Sequence, residues 1–454
     1  MEYLAAWMFL ALTVLLMLGF PVTFTLLGTA MAFGLLYVGM DAGWEAGWLA
    51  DFDFFNLLPL RIWGVMKNVV LIAVPLFIFM GVTLEKSGLA EELLDTMGML
   101  FGPVRGGLAI SVVVVGALLG ASTGIVGATV VTMGLLAVPT MLRRNYQKEL
   151  ATGTVAASGT LGQIIPPSIV LVLLATIVQV PVGDLFIAAV FPGFLLVLLY
   201  VVYILILVYF KPKVAPPIPR GEMAGMSKGD FLLRVFKALI PPLFLIVAVL
   251  GSIFAGIASP TEAAAVGSVG AMLLAIMNRK FNMAILRQVM TATTKLTCMV
   301  FIILVGAAAF GLAFRELEGD ELVRGFLMGI AHTHTKWVVL LIVMTVIFFV
   351  GFVLDFIEIT FIHVPVLVPI LIEDLGFNAV WVCVMLAVNL QTSFMTPPFG
   401  FSLFYLKAVT PPEVKTGHLY RGIIPFVGLQ LVGLFIIVFW PELATWLPTV
   451  VYAD

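Results

Sequence analysis

The chain has 454 residues, of which 62% are hydrophobic and only 11% are charged, and its mean hydropathy is +1.19. Soluble domains carry about 25% charged residues, so this composition excludes a soluble protein and predicts an all-α polytopic membrane protein. The formal net charge of −2 argues against nucleic acid as a partner. Cys298 and Cys383 each stand alone in an apolar run, which predicts neither a disulfide framework nor a metal site.

Two short stretches carry weaker signals. His332 and His334 lie two residues apart in a stretch that we expect to be a polar loop, where a solvated pair is favoured over a metal site. The N-terminal run Met1-Glu2-Tyr3 has neither a basic leader nor a small-residue cleavage site, so we expect the first apolar run to be a retained membrane span.

The first half of the chain begins with two apolar runs joined at Gly19-Phe20-Pro21. Together they are far too long for one helix across a hydrocarbon core of about 30 Å, so we expect two spans. Residues 54–68 mix apolar, tryptophan and basic side chains and favour a helix in the membrane interface, and residues 89–100 are amphipathic. The expected spans of this half are 3–19, 22–39, 69–85 and 184–210.

Residues 106–140 predict a re-entrant helical hairpin. Two apolar arms flank the small residues GASTG at 120–124, and each arm has about 15 residues, which is short for a crossing of about 20. Residues 150–176 predict a broken helix, because SGTLGQIIPPS at 158–168 interrupts an apolar segment. Adjacent prolines remove backbone donors, and bare carbonyls cannot face hydrocarbon, so such a break lines a cavity or is covered by protein.

Residues 211–237 form the one long polar stretch, basic and rich in proline, and we expect a cytoplasmic linker there between two halves, 1–210 and 238–454. An interfacial segment is expected over 279–294. A second hairpin is expected over 336–372 and a second broken helix over 378–406, which carries NLQTSFMTPPFG at 389–400. The expected spans of this half are 238–257, 260–277, 295–314 and 419–440.

The two halves share landmarks at one constant offset. The differences 319 − 88, 328 − 97 and 329 − 98, 351 − 120, and 397 − 166 all equal 231, and they join two glycine pairs, two Met-Gly pairs, and Pro166-Pro167 with Pro397-Pro398. Several matches at one offset, one of them between two Pro-Pro pairs, favour an internal repeat over chance. Interrupted helices at corresponding positions of two halves point to the binding site of a secondary transporter.

The distribution of charge predicts the topology. Basic residues gather in the loop 143–148, the linker, the segment 279–287 and the region 407–421, whereas 41–53, 373–374 and the C-terminal tail are acidic or uncharged. Placing the basic set in the cytoplasm requires the first hairpin to enter from inside and the second from outside. Both termini are then expected to be periplasmic. The two halves are expected to be inverted repeats, with opposite orientations in the membrane.

These motifs resemble the large membrane subunit of the tripartite ATP-independent periplasmic (TRAP) transporters. The resemblance covers nearly the whole chain and is carried by GASTG at 120–124, ASGTLG and IPPS within 157–168, SPTEA at 259–263 and TPPFG at 396–400. It implies a bacterial inner-membrane permease with a scaffold, an elevator-type transport domain, sodium as the coupling ion and no other cofactor. It also implies two partners, a small four-helix membrane subunit and a periplasmic substrate-binding protein, and an organic anion substrate such as a C4-dicarboxylate. Many members have serines after the hairpin glycine, whereas Ile125 and Val126 follow Gly124 here.

Sodium is a hard cation that prefers oxygen ligands, and unwound carbonyls and hydroxyls supply them without burying a net negative charge. Packing of small residues between helices is the competing explanation for the same composition. In the first half the candidate sodium ligands are Ser122, Thr123, Gly124, Ser158, Gly159, Gly162 and Ile165. In the second half they are Leu354, Asp355, Gln391, Thr392, Met395 and Thr396.

An organic anion is expected between the two hairpin tips, where helix N-termini aim partial positive charge. No arginine lies within either tip, so hydroxyls, dipoles and bound sodium are expected to hold the carboxylate. The candidate hydroxyl donors are Thr123, Thr160, Thr392 and Thr396. Asp355 and Glu358 lie three apart on one hairpin, and acids inside a membrane are functional candidates, with Glu358 the weaker of the two because a structural hydrogen bond would also explain it.

The sequence also bears on other possible functions. Ser259-Pro260-Thr261-Glu262 has the pattern of a helix capping box, which we favour over a catalytic role. No polar segment contains a phosphate-binding loop, so ATP is not expected to drive transport directly. The nearest alternative is a stand-alone carboxylate symporter or proton antiporter of similar architecture. A membrane enzyme would need a cluster of His, Asp, Glu or nucleophilic residues at the membrane face, and the sequence shows none. A channel would need a continuous pore, whereas two broken helices facing hairpin tips favour an occluded site.

Overall fold

The computed structural model describes residues 3–41, 53–124, 126–218, 228–398 and 400–452. Within these ranges the chain is helical, with no strand. The helices of the first half are α1 (Leu4–Met17), α2 (Val22–Asp41), α3 (Asp53–Lys67), α4 (Ala73–Lys86), α5 (Leu89–Phe101), α6 (Gly107–Thr123), α7 (Val126–Arg143), α8 (Lys148–Thr160), α9 (Ile169–Val178) and α10 (Val182–Phe210). The acidic loop predicted over 41–53 lies almost wholly outside the described residues.

The helices of the second half are α11 (Lys228–Phe254), α12 (Pro260–Met277), α13 (Met283–Glu316), α14 (Gly319–Thr333), α15 (Lys336–Val350), α16 (Phe356–Ile362), α17 (Val364–Pro369), α18 (Ala379–Phe394), α19 (Phe401–Val409), α20 (Thr416–Phe439) and α21 (Glu442–Val451). Short 3₁₀ segments occupy Val69–Ile72 and Leu161–Gln163, and a π-helical turn occupies Ile370–Asp374. Of the helices in the described ranges, eight are long and apolar enough to cross a membrane.

Helix bounds in the two halves recur at the same offset. Adding 231 to the bounds of α5 gives 320–332, against 319–333 for α14, and adding it to α8 gives 379–391, against 379–394 for α18. The same shift places α9 at 400–409, against 401–409 for α19. The Pro166-Pro167 and Pro397-Pro398 peptide bonds, also 231 apart, are both cis.

Most of the helices belong to one of two groups. The arm bundle comprises α1–α4 and α11–α13, in which α4 packs against α12, α2 against α13, and α4 against α13. The core bundle comprises α6–α10 and α15–α20, in which α8 packs against α20 and α18 against α10. The first broken helix consists of α8 and α9, and the second consists of α18 and α19. Each therefore packs against a long helix from the other half of the chain. Contacts of α4 with α6 and of α13 with α16 join the two bundles.

In each hairpin region the first residues lie close to the last ones. At the first, the backbone N–H of Leu108 donates to the hydroxyl of Tyr146 over 3.3 Å, so the start of α6 lies beside the loop that follows α7. Burial raises the pKa of Tyr146 to about 12, which keeps this hydroxyl protonated. At the second, the ammonium of Lys336 lies 3.4 Å from the carbonyl of Leu375, so the start of α15 lies beside the end of the π-helical turn.

The boundary predicted near residue 295 is wrong. Residues 283–316 form one uninterrupted helix, where an interfacial segment and a separate span were expected. The corresponding stretch of the first half is interrupted, because Asn68 caps a new 3₁₀ turn by accepting from the N–H of Val70 over 3.0 Å. Shifted by 231, that position is Met299, which cannot cap, so α13 continues.

Three further expectations are corrected. His332 lies in the last turn of α14 and not in a loop, and α14 itself was not predicted. The C-terminal tail contains the helix α21, which its charge pattern did not indicate. Helix α11 begins at Lys228, so residues 228–237 of the predicted linker are helical, while 219–227 lie outside the described residues.

Candidate functional site

The first hairpin tip touches the first broken helix. Gly124 ends α6 in the left-handed region at φ +59°, where its N–H donates to the carbonyl of Gly120 over 2.9 Å. A Cβ on Gly124 would lie 3.1 Å from the side chain of Ile169, the first residue of α9. A Cβ on Gly120 would lie only 2.6 Å from the backbone nitrogen of Gly162. Glycine is therefore required where the hairpin and the break cross.

The second hairpin tip repeats this crossing. A Cβ on Gly351 would collide with the side chain of Ser393. Gly351 corresponds to Gly120 (351 − 120 = 231), and Ser393 corresponds to Gly162 (393 − 162 = 231). At the tip itself the ring of Phe356 lies 6.4 Å from that of Phe394, at the end of α18. Each half thus places a hairpin tip on its own broken helix.

The two broken helices also meet each other. The amide of Gln391, in α18, donates to the hydroxyl of Thr160, in α8, over 3.3 Å. That hydroxyl in turn donates to the carbonyl of Ala157 over 2.8 Å and lies 3.8 Å from the sulfur of Met395. Thr160, Gln391 and Met395 are all buried. The two interruptions therefore form one buried polar centre.

Two glutamines give this centre unused polar atoms. Oε1 of Gln391 is buried and accepts no hydrogen bond from the described residues. Oε1 and Nε2 of Gln163 are also buried and have no hydrogen-bond partner among these residues. Buried amide groups without partners are costly and uncommon, and amide oxygen is a ligand type that hard cations accept. Gln163 was missed as a candidate ligand. Its signal in the sequence was a glutamine inside an otherwise apolar membrane segment.

The predicted hydroxyl ligands direct their protons into their own helices. Ser158 donates to the carbonyl of Val155 over 3.2 Å. Thr392 donates to Val388 over 2.7 Å, and Thr396 donates to Thr392 over 2.6 Å. A hydroxyl that donates in this way keeps its oxygen lone pairs, so these groups present acceptors to the space beside them.

Other predicted residues face neighbouring helices. Gly159 lies against Val130 of α7, where an added Cβ would lie 2.5 Å from a methyl carbon, and Ile165 packs against Gly193 of α10. Leu354 is buried directly before the second tip. For Ser122 and Thr123 the structure gives the helical backbone only, and their side chains lie outside the described residues.

Asp355 and Glu358 form a capping box at the start of α16. The carboxylate of Asp355 accepts from the N–H of Phe356 over 2.6 Å, and Glu358 accepts from the N–H of Asp355 over 3.0 Å. Glu358 is 9% exposed. The structural role that competed for Glu358 is therefore present, while an ion-binding role for Asp355 stays a prediction.

The capping box predicted at Ser259 is confirmed. The backbone N–H of Glu262 donates to the hydroxyl of Ser259 over 3.3 Å, and the carboxylate of Glu262 accepts from the N–H of Ser259 over 2.8 Å. Pro260 occupies the first position of α12. Because both groups are used in starting the helix, the motif has the structural role that we favoured.

Comparison with known proteins assigns the chain to a family. The family model described as "Tripartite ATP-independent periplasmic transporter, DctM component" matches residues 9–443. The C4-dicarboxylate TRAP transporter large permease protein DctM of Pseudomonas aeruginosa is 32% identical over 397 residues, which cover 87% of this chain and 90% of that protein. The ectoine/5-hydroxyectoine TRAP transporter large permease protein UehC of Ruegeria pomeroyi is 29% identical over 447 residues, or 98% of each chain.

A solved structure shares the fold. The YdaH transporter of Alcanivorax borkumensis superposes with a TM-score of 0.64 at 16% sequence identity, covering 96% of this chain and 98% of that one. Identity at that level supports the architecture and not the activity. The apolar helices show a multi-pass membrane protein, and the family model matches nearly the whole chain. This chain therefore belongs to the DctM family, the large permease component of tripartite ATP-independent periplasmic transporters.

Proposed function

We propose that this protein is the permease subunit of a sodium-coupled, binding-protein-dependent secondary transporter that imports a small organic acid. The observation that carries the proposal is the hydrogen bond between Thr160 and Gln391, which joins two interrupted helices inside the core bundle. Such joined interruptions are the usual place of substrate and ion sites in secondary transporters.

The oxygen atoms at this centre support a sodium site. Carboxamide oxygens of Gln163 and Gln391 and the lone pairs of Ser158 and Thr392 are neutral oxygen ligands. They favour a hard monovalent cation over a transition metal, which prefers imidazole or thiolate. Asp355 adds a carboxylate at the second tip.

The two bundles support an elevator movement between inverted repeats. Long, closely packed helix pairs such as α4 with α12 stabilise the arm bundle, and the core bundle contains both hairpins and both breaks. A rigid core bundle that slides along the arm bundle would carry the central site from one membrane face to the other. Rigid-body movement of one repeat-built unit against another is a common route to alternating access.

The comparisons support the remaining parts of the proposal. The family is tripartite, so we assign the other two components to a small membrane subunit and a periplasmic binding protein. The relative from Pseudomonas aeruginosa is named for C4-dicarboxylates, and its alignment covers most of both chains. A C4-dicarboxylate or a related carboxylate is therefore the proposed substrate class, with the basic loops in the cytoplasm and both termini in the periplasm.

Reconstituted uptake tests the proposal. Proteoliposomes that contain the permease and its small subunit should take up radiolabelled succinate only when the loaded binding protein and an inward sodium gradient are both present. A pH gradient alone should give no uptake. Uptake without the binding protein, driven by a pH gradient, would replace the proposal with the stand-alone proton-coupled alternative.

A further inference from the structure

A cavity of about 470 Å³ lies between the arm bundle and the core bundle, away from the polar centre. Its walls come from α3, the end of α9, the C-terminal part of α13, α16 and the first residues of α14 and α17. This volume is within the range of sites for small molecules, roughly 300–1,000 Å³. The aromatic rings of Phe310, Phe314 and Phe361 form part of the wall.

The charges of this cavity have no counterpart in the other half. Arg61, Arg315 and Asp320 line the cavity. The positions related to them by the offset of 231 are Ala292 (61 + 231), Leu84 (315 − 231) and Leu89 (320 − 231). The related positions of the other half pack without charge, so helix packing alone does not explain the three charged residues of the cavity.

The balance of these charges is positive. Arg315 and Asp320 form an ion pair of 3.4 Å between side chains that are 51% and 44% exposed, so water screens it strongly. Arg61 forms no ion pair with any acidic side chain in the described part of the chain. Asn68 and Gln179 add amide groups to the same wall. Two guanidinium groups beside aromatic rings and amides match the chemistry of a small organic carboxylate.

Two of the helices that line the cavity begin at the two hairpin tips. Ile169, which lies against Gly124 of the first tip, is seven helical steps or about 10 Å from Thr176 in the cavity wall, and the path along α16 from Asp355 at the second tip to Phe361 is about 9 Å. A second cavity of about 230 Å³ adjoins it, shares Arg315 and Gln179, and is also lined by Glu373. The charge pattern of the loops places this side of the protein in the periplasm.

We propose that this cavity is an anion vestibule, in which Arg61 and Arg315 hold a small carboxylate before it reaches the centre between the broken helices. The inference rests on the proposed function, because it assumes a carboxylate cargo. It also supplies the basic residues that are missing from the hairpin tips. Arginines lining a partly enclosed, apolar-walled cavity raise the local concentration of an anion and the rate at which it enters.

Cysteine labelling tests the vestibule independently of transport. Gly64 lines the cavity and has open space around it, so Gly64→Cys fits there, and Cys298→Ser removes the one exposed native thiol in the described residues. Impermeant anionic and cationic methanethiosulfonate reagents are added from outside to cells that express the double variant. The anionic reagent should react several-fold faster than the cationic one, succinate should slow it, and adding Arg61→Ala should abolish the preference. Equal rates for both reagents without protection by succinate would overturn the vestibule.

Uptake kinetics provide a second test, with effects of opposite sign. Arg61→Ala should raise the apparent KM for the succinate-loaded binding protein about tenfold at low salt, with a much smaller change in Vmax. Asp320→Asn should lower that KM, because it frees Arg315 for the anion. Lys67→Ala is the matched control, since Lys67 lies on the same helix and stacks over Trp63 at 5.0 Å without lining the cavity.

The outcomes separate the two proposals. If wild-type vesicles take up no carboxylate under any gradient, the proposed function fails. If they do take it up while Arg61→Ala, Asp320→Asn and Lys67→Ala behave alike, the proposed function stands and the vestibule fails.

Discussion

Gln391 donates a hydrogen bond to Thr160 across 3.3 Å, and the two residues occupy the same position in the two halves of the chain, since 391 − 160 = 231. Equivalent positions of a two-fold repeat touch only where they lie next to its axis. The inverted repeat that the sequence predicts would therefore have its axis beside this contact. A ligand at this point would touch both halves at once.

The first prediction concerns the pair Thr160 and Gln391. Thr160→Val removes the acceptor and leaves the amide of Gln391 buried without a partner, which costs about 1–3 kcal/mol. We expect a lower thermal unfolding temperature of the purified permease and at least tenfold slower sodium-driven uptake. Gln391→Leu in the same background should then cost little more, because the partner is already gone. Additive losses from the two substitutions would contradict a direct coupling.

A second prediction uses the glycine crossings. Gly120→Ala places a methyl group 2.6 Å from the backbone nitrogen of Gly162, and backbone cannot yield as a flexible side chain can. Overpacking of this kind costs about 1–3 kcal/mol, so we expect reduced thermal stability and loss of uptake. Gly251→Ala is the control, because nothing lies within 4 Å of its added carbon. Equal stability of the two variants would show that the hairpin and the break are not in contact.

Asp355 allows its charge to be separated from its capping role. Asparagine caps helices about as well as aspartate, so Asp355→Asn keeps the start of α16 and removes only the charge. We expect uptake that no longer rises with sodium concentration, in protein of near wild-type thermal stability. Asp355→Ala should lose about 1 kcal/mol of stability as well. An unchanged sodium dependence in the asparagine variant would exclude Asp355 from the ion site.

The cap at Ser259 should behave differently. Ser259→Ala removes the acceptor for the N–H of Glu262 and should lower stability by about 1 kcal/mol, because α12 loses its N-terminal cap. Uptake per folded molecule should stay at the wild-type level. A large loss of uptake at unchanged stability would instead point to a functional role for this motif.

Much of the fold could be predicted because membrane segments are constrained by length and by backbone hydrogen bonding. The interruptions at 158–168 and 389–400 were visible from proline and glycine alone. The amphipathic helices α14 and α21 were missed, since α14 carries several charged residues and α21 has only ten residues, so neither has the pattern of a span. The continuity of α13 was also missed, because basic residues at 279–287 indicated an interfacial segment where the backbone has no breaker.

The candidate site was predictable by region and not by contact. The pattern identified Thr160 and Gln391 as separate candidates for different roles, whereas the structure joins them directly. Gln163 was not predicted, although its carboxamide is buried and has no hydrogen-bond partner among the described residues, which makes it a candidate ligand. Spacing along a chain gives equivalent positions, but only the packing of the two halves determines which of them meet.

Sodium titration of thermal unfolding tests the central claim most directly. An ion that binds only the folded state stabilises it by about 2.7 kcal/mol at 100 times its dissociation constant. The unfolding temperature of the purified permease should therefore rise with sodium chloride and stay level with potassium chloride at equal ionic strength, and Gln391→Leu should remove the difference. Equal stabilisation by both salts, in the wild type and in the variant, would contradict a sodium site between the two broken helices.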